Sequence, residues 1–245
     1  MATISLGHIS VEVTQKNIKN VHLSVHPPNG RVTISAPKRM NLETIRVYAV
    51  SKLSWIKKQQ DKIAKQKREP AREYIERESH YYKGERYLLK VIEHNAPPKV
   101  ELNHSALNLY VRPNTPTLKR MQVMDEWYRQ QLKIDIPKLI EIWEKKMNVQ
   151  VNEFGVKKMK TRWGSCNINK NRIWLNLELA KKPMECLEYV VVHELVHLLE
   201  KKHNARFYSL MEKYYPNWKH SKDLLNRLPI SHRNWEYCDS DKKKL

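Results

Sequence analysis

Tyr189-Val190-Val191-Val192-His193-Glu194-Leu195-Val196-His197-Leu198-Leu199 is apolar nearly all round except at His193, Glu194 and His197. Pro183 stands at the first turn of the helix this pattern predicts, and Leu187 extends its apolar surface. A helix with no polar face is buried, so two imidazoles and a carboxylate on it need a physical account. At about 100° per residue, positions 193 and 197 lie about 40° apart and one turn along, so both imidazoles face the same point. Glu194 falls at the edge of that face. Neutral imidazoles bind Zn²⁺ and leave its charge uncancelled, so a bound water becomes acidic near neutral pH. Glu194, adjacent to the ligands, is placed to accept the proton. The competing reading is a core helix whose two histidines are simply hydrogen-bonded.

One zinc ion needs a third protein ligand, and His203 is the first candidate. In a continuous helix it would lie about 120° from His197 and about 9 Å further on, so the chain must turn after Leu199 for it to arrive. Glu200-Lys201-Lys202-His203-Asn204 is polar enough to be that turn. Glu200, Glu212 and His220 are the alternatives.

Upstream, Val149–Val151, Val156–Met159 and Arg172–Leu177 read as strands. Before them, Met121, Met124, Trp127, Tyr128, Leu132 and Ile136 mark a long helix capped by Thr117, with Pro137 expected to kink or end it and 138–147 continuing as another helix. Strand patterns recur at Arg86–Ile92, Lys99–Leu102 and Leu107–Val111, and residues 69–80 read as a charged linker or turn. At the N-terminus, Val21–Val25 and Arg31–Ser35 flank Pro27-Pro28-Asn29-Gly30 as a hairpin. Asn41 then caps a single helix through Ile45, Val47, Val50, Leu53 and Ile56, running basic toward Arg68.

Composition bounds the function. Lysine and arginine outnumber acids 46 to 26, a formal charge of +20, which favours an anionic substrate or polyanionic partner. Lys57, Lys58, Lys62, Lys65, Lys67 and Arg68 equally suit a solvated helix face. No zinc-finger spacing or basic-aromatic RNA signature occurs, and five glycines leave little for a phosphate-cradling loop. Cys166, Cys186 and Cys238 lack disulfide or zinc-knuckle spacing, so a reducing cytoplasm is expected. No run of about 18 apolar residues predicts a membrane span. Oligomeric state has no sequence signature.

Lys160-Thr161-Arg162-Trp163-Gly164-Ser165-Cys166, Ile173-Trp174-Leu175-Asn176, the Tyr189–His197 segment, His203, Phe207 and Pro216 together resemble the YgjP-like metallopeptidase family, distantly related to SprT-like zincins. The resemblance extends upstream through Ala36-Pro37, Lys52–Ile56 and Glu126–Arg129. It implies zinc held by His193, His197 and His203, with Glu194 catalytic. In metzincins the third histidine has the same offset but is reached through a glycine at the position of Glu200, so their turn geometry does not transfer.

The expected architecture is α+β: an N-terminal β-rich region with one long helix over 1–116, a zincin-like region with a small sheet and the histidine helix over 117–238, and a charged tail over 239–245. In such a region a strand runs beside the metal helix. Arg162 on it, near Lys157, Lys158 and Lys160, would hold an anionic substrate or stabilise developing charge, with Trp163 beside it. The bland alternatives are that Arg162 pairs with a helix acid, Trp163 fills the core, Gly164 permits close strand–helix approach, and Cys166 is a small buried thiol. Three functions fit: a zinc peptidase acting on a peptide, a metal-dependent hydrolase of a nucleoside triphosphate, and a SprT-like protease acting on DNA-associated proteins with non-specific nucleic-acid contact.

Overall fold

The computed structural model describes residues 2–26, 29–65, 72–159 and 162–229. Contacts cluster into two units, Met1–Arg68 and Glu69–Ser231. Cys238 and the charged tail lie outside the described residues.

The first unit is a four-stranded sheet with two helices. Its strands are β1 (Ala2–Leu6), β2 (Ile9–Lys16), β3 (His22–His26) and β4 (Arg31–Pro37), in the order β1-β2-β4-β3. The expected hairpin is β3–β4, antiparallel with Leu23 opposite Ile34. Alternation puts Val11, Val13, Val32, Ile34 and Ala36 on the buried face, packed with Ile45, Ala49 and Ile56. Asn41 caps as expected, its side chain accepting from the Thr44 N–H at 2.8 Å. The single helix expected beyond it is two, α1 (Leu42–Ser51) and α2 (Leu53–Lys65), where the Lys52 N–H donates to Ala49 O in a tightened last turn. Val47 and Val50 are exposed, so the buried stripe is narrower than the sequence pattern implied.

The second unit holds two more sheets. β5 (Ser79–Tyr82), β6 (Glu85–Glu93), β7 (Lys99–Leu102) and β8 (Ala106–Val111) run in the order β5-β6-β8-β7. β5 falls at the end of the segment read as a linker. His80 and Tyr82 are its buried positions, and polar residues hid the alternation. Leu89, Leu107, Leu109 and Val111 share one core with Met124, Tyr128 and Leu132 of α3 (Thr117–Met147). The sheet therefore belongs with the C-terminal residues, and the division falls near residue 68 rather than at 116.

Pro137 neither ends α3 nor splits it, and Thr117 is its first residue rather than its cap, which is Pro116. A buried face of Met124, Tyr128, Leu132, Ile136, Ile140, Trp143 and Met147 continues through the proline, offsetting the one missing helix hydrogen bond.

The third sheet is β10-β11-β9, from β9 (Glu153–Lys157), β10 (Gly164–Asn167) and β11 (Arg172–Asn176). Val149–Val151 is not a strand, since the Val151 N–H is taken by the Glu144 carboxylate at 2.5 Å. β10 is antiparallel to β11 and, among the described residues, is an edge strand of this sheet. Against this sheet lies α4 (Met184–Leu199), starting one residue after Pro183 and also contacting α3, α5 (Ala205–Tyr214) and α6 (Trp218–Arg227). The fold is α+β with a small sheet packed on the histidine helix. Among the described residues no helix is long and apolar enough to cross a membrane.

Candidate metal centre

α4 delivers three of the expected residues because its other side chains are core. Val192, Leu195 and Val196 are fully buried, fixing the helix rotation that turns His193 and His197 toward a cleft. The helix stops at Leu199. Glu200 is extended (φ −145°, ψ 112°) while its N–H still donates to Val196 O at 2.9 Å, so an ordinary β conformation makes the turn and no glycine is required. Asn204 then caps α5, accepting from the Phe207 N–H at 3.0 Å. His203 is held between these two helix ends.

The turn brings the three imidazoles together. Their ring centroids are 4.7 to 5.0 Å apart, and one nitrogen from each lies within 4.8 Å of the others. The buried Phe207 ring sits 4.6 to 5.0 Å from all three as an apolar floor. His197 Nδ1 is 3.1 Å from the Glu200 carbonyl oxygen, which can only accept. That nitrogen therefore carries the proton, and Nε2 offers its lone pair. Nε2 of His193 and Nε2 of His203 lie 3.0 Å apart, so the two rings either share a hydrogen bond or turn both lone pairs to one ion. Burial is the main cause that lowers His193 to a pKa of about 3, which keeps its ring neutral with one nitrogen lone pair available. Three imidazole nitrogens converging with one side open to the cleft fit a zinc ion. Among the described residues this is the metal-competent cluster, and it contains none of Glu200, Glu212 or His220. Glu212 instead pairs with Lys219.

Glu194 is 5% exposed, and burial pushes its carboxyl up to about 8, opposed by the positive charge of Arg162. β10 passes so close that a Cβ on Gly164 would meet the Glu194 side chain. The close approach foreseen for Gly164 is thus to the carboxylate itself.

Arg162 is exposed at the rim of the cleft, and Trp163 is half-buried, touching both cleft and core. The cleft has a volume of about 910 Å³. Lys157 and Lys158 do not line it: Lys157 stacks over Trp174 and Lys158 pairs with Asp125 at 2.5 Å. Lys160 lies outside the described residues. Cys166 forms part of the wall, its thiol raised to about 11 by burial, so it stays a neutral thiol.

Asn176 was quoted in the sequence without a role, yet it fixes this wall. Its side-chain amide donates to Arg162 O at 2.8 Å and Met159 O at 3.0 Å, while its backbone N–H donates to Trp163 O at 2.9 Å. Its side-chain oxygen accepts from the N–H groups of Met159 and Glu178, both at 3.3 Å. A polar residue closing an apolar strand was the only signal. Lys201, in the turn already read from the sequence, and Lys222 also line the cleft; Lys222 carried no signal because α6 is distant in sequence from the histidine helix.

A histidine triad beside a buried glutamate on an apolar helix defines a candidate metallohydrolase centre. A family model described as "YgjP-like, metallopeptidase domain" matches residues 19–228, and the chain belongs to that family. No curated protein matches the chain. Two solved structures resemble part of it: the metallopeptidase zymogen abylysin of Pyrococcus abyssi (21% identity, TM-score 0.35, 37% of this chain and 90% of that one) and the zymogen jannalysin of Methanocaldococcus jannaschii (21%, 0.33, 37% and 92%).

Proposed function

We propose that the chain is a zinc-dependent peptidase in which His193, His197 and His203 hold one zinc ion and Glu194 is the general base. The observation that carries this reading is the convergence of three imidazole nitrogens beside a buried carboxylate at the floor of an open cleft. Zinc, when bound, polarises a carbonyl and acidifies a water near neutral pH. Glu194 accepts the proton from the attacking water and passes it to the leaving amine, a shuttle suited to a carboxyl whose pKa lies near neutrality. The Glu200 carbonyl holds His197 in its ligating tautomer. The edge of β10 offers backbone N–H and C=O groups to an extended peptide, and Arg162 and Trp163 on its approach contact the substrate.

The cations lining the cleft favour one alternative, a nucleoside triphosphate as substrate. A chelator-stripped sample reconstituted with zinc, then offered unfolded proteins and a nucleotide panel, separates the two. Zinc-dependent cleavage of polypeptide supports the peptidase; turnover of nucleotide alone overturns it.

A further inference from the structure

Three cations reach the cleft from three separate elements. Arg162 precedes β10, Lys201 lies in the turn after α4, and Lys222 is on α6. The single acid in the lining, Glu194, is buried at the floor. Some lysines of this unit have acidic partners, Lys158 with Asp125, Lys181 with Glu178 and Lys219 with Glu212, while Lys157 stacks over Trp174. No carboxylate stands within ion-pair distance of Arg162, Lys201 or Lys222 among the described residues. Lys222 Nζ lies 5.5 Å from the centroid of the Trp218 ring.

Cations without acidic partners on the walls of a concave site focus a positive potential into it. They gain most from a substrate that supplies the missing anions, and they oppose one that brings further positive charge. An extended segment paired along β10 presents side chains every ~3.3 Å, so residues flanking the scissile bond pass these walls. We propose that the cleft selects peptide segments carrying aspartate or glutamate beside the scissile bond, with Arg162, Lys201 and Lys222 as the specificity determinants. This rests on the peptidase reading above.

The test uses the full-length, zinc-loaded protein and three quenched fluorescent peptides sharing one core, flanked by Asp/Glu, by Asn/Gln or by Lys. The expected order of kcat/KM is acidic, neutral, basic, with acidic exceeding basic roughly tenfold or more and the gap narrowing as salt rises. Lys222→Glu and Lys201→Glu should each compress that ratio. Because the ratio is taken within one preparation, any loss of folded enzyme cancels. Equal kcat/KM for the three peptides, or a ratio unchanged in both variants, overturns the acidic preference and leaves the peptidase reading standing. Absence of turnover of all three, with a nucleoside triphosphate hydrolysed instead, overturns the preference and the peptidase reading together.

Discussion

A Cβ placed on Gly164 would lie 2.5 Å from Oε1 of Glu194 and 2.8 Å from its Cγ. β10 therefore touches the carboxylate through a position where only hydrogen fits, and the backbone there needs no unusual dihedral. Gly164→Ala is expected to displace Glu194, destabilise the fold by about 1–3 kcal/mol and lower kcat at least tenfold while zinc content is kept. Thermal unfolding, metal analysis and steady-state kinetics on one preparation check all three effects.

Asn176 satisfies five backbone groups around the Arg162 approach and is itself buried. Asn176→Ala strands the Arg162 and Met159 carbonyls and should cost about 2–4 kcal/mol. Asn176→Asp keeps the volume but removes both side-chain donors, so it should fail similarly. If the segment positions Arg162 and Trp163 on substrate, surviving folded enzyme shows a raised KM more than a lowered kcat. A merely structural role would leave KM where it was.

His203 comes from an exposed turn rather than from the core. Its loss should weaken zinc binding by more than about 100-fold with little change in metal-free stability. At fixed zinc, the variant then loses about 2.7 kcal/mol of ligand-linked stability for each 100-fold of affinity removed. Competition with a chromophoric chelator measures the affinity, and melting with and without zinc measures the linkage.

The metal-free protein should be squeezed from both sides of the pH scale. His193, lowered to about 3, and His80, lowered by burial, bind protons more readily once unfolded, so stability falls as pH drops below about 6.5. Glu194 has the opposite sign. Its carboxyl is raised to about 8, so its contribution is fully present below about 4.5 and is lost as pH climbs toward 8. Glu194→Gln removes only the alkaline limb and should stabilise the metal-free protein at pH 8 by ~2 kcal/mol. Urea unfolding across pH 4 to 9 separates the limbs.

The histidine helix was legible because its apolar residues leave two imidazoles nothing to do in a core. His203 was legible because polar residues after Leu199 permit a turn. The fold class followed from strand and helix periodicity, but the division at residue 68 did not. β5–β8 look like a continuation of the N-terminal strands until Leu107 and Leu109 are seen against Met124 and Tyr128. Pro137 misled because propensity counts one lost hydrogen bond while the packed face on either side outweighs it. Asn176 and Lys222 were silent for a common reason: a side chain whose partners lie far away in sequence has no local signature.

The most direct test of the central claim is peptide turnover by Glu194→Gln measured beside its zinc content. The proposed role predicts one zinc ion per chain, as in the parent, with kcat reduced at least ~100-fold. A variant that keeps its zinc and cleaves peptide at the parental rate would contradict it.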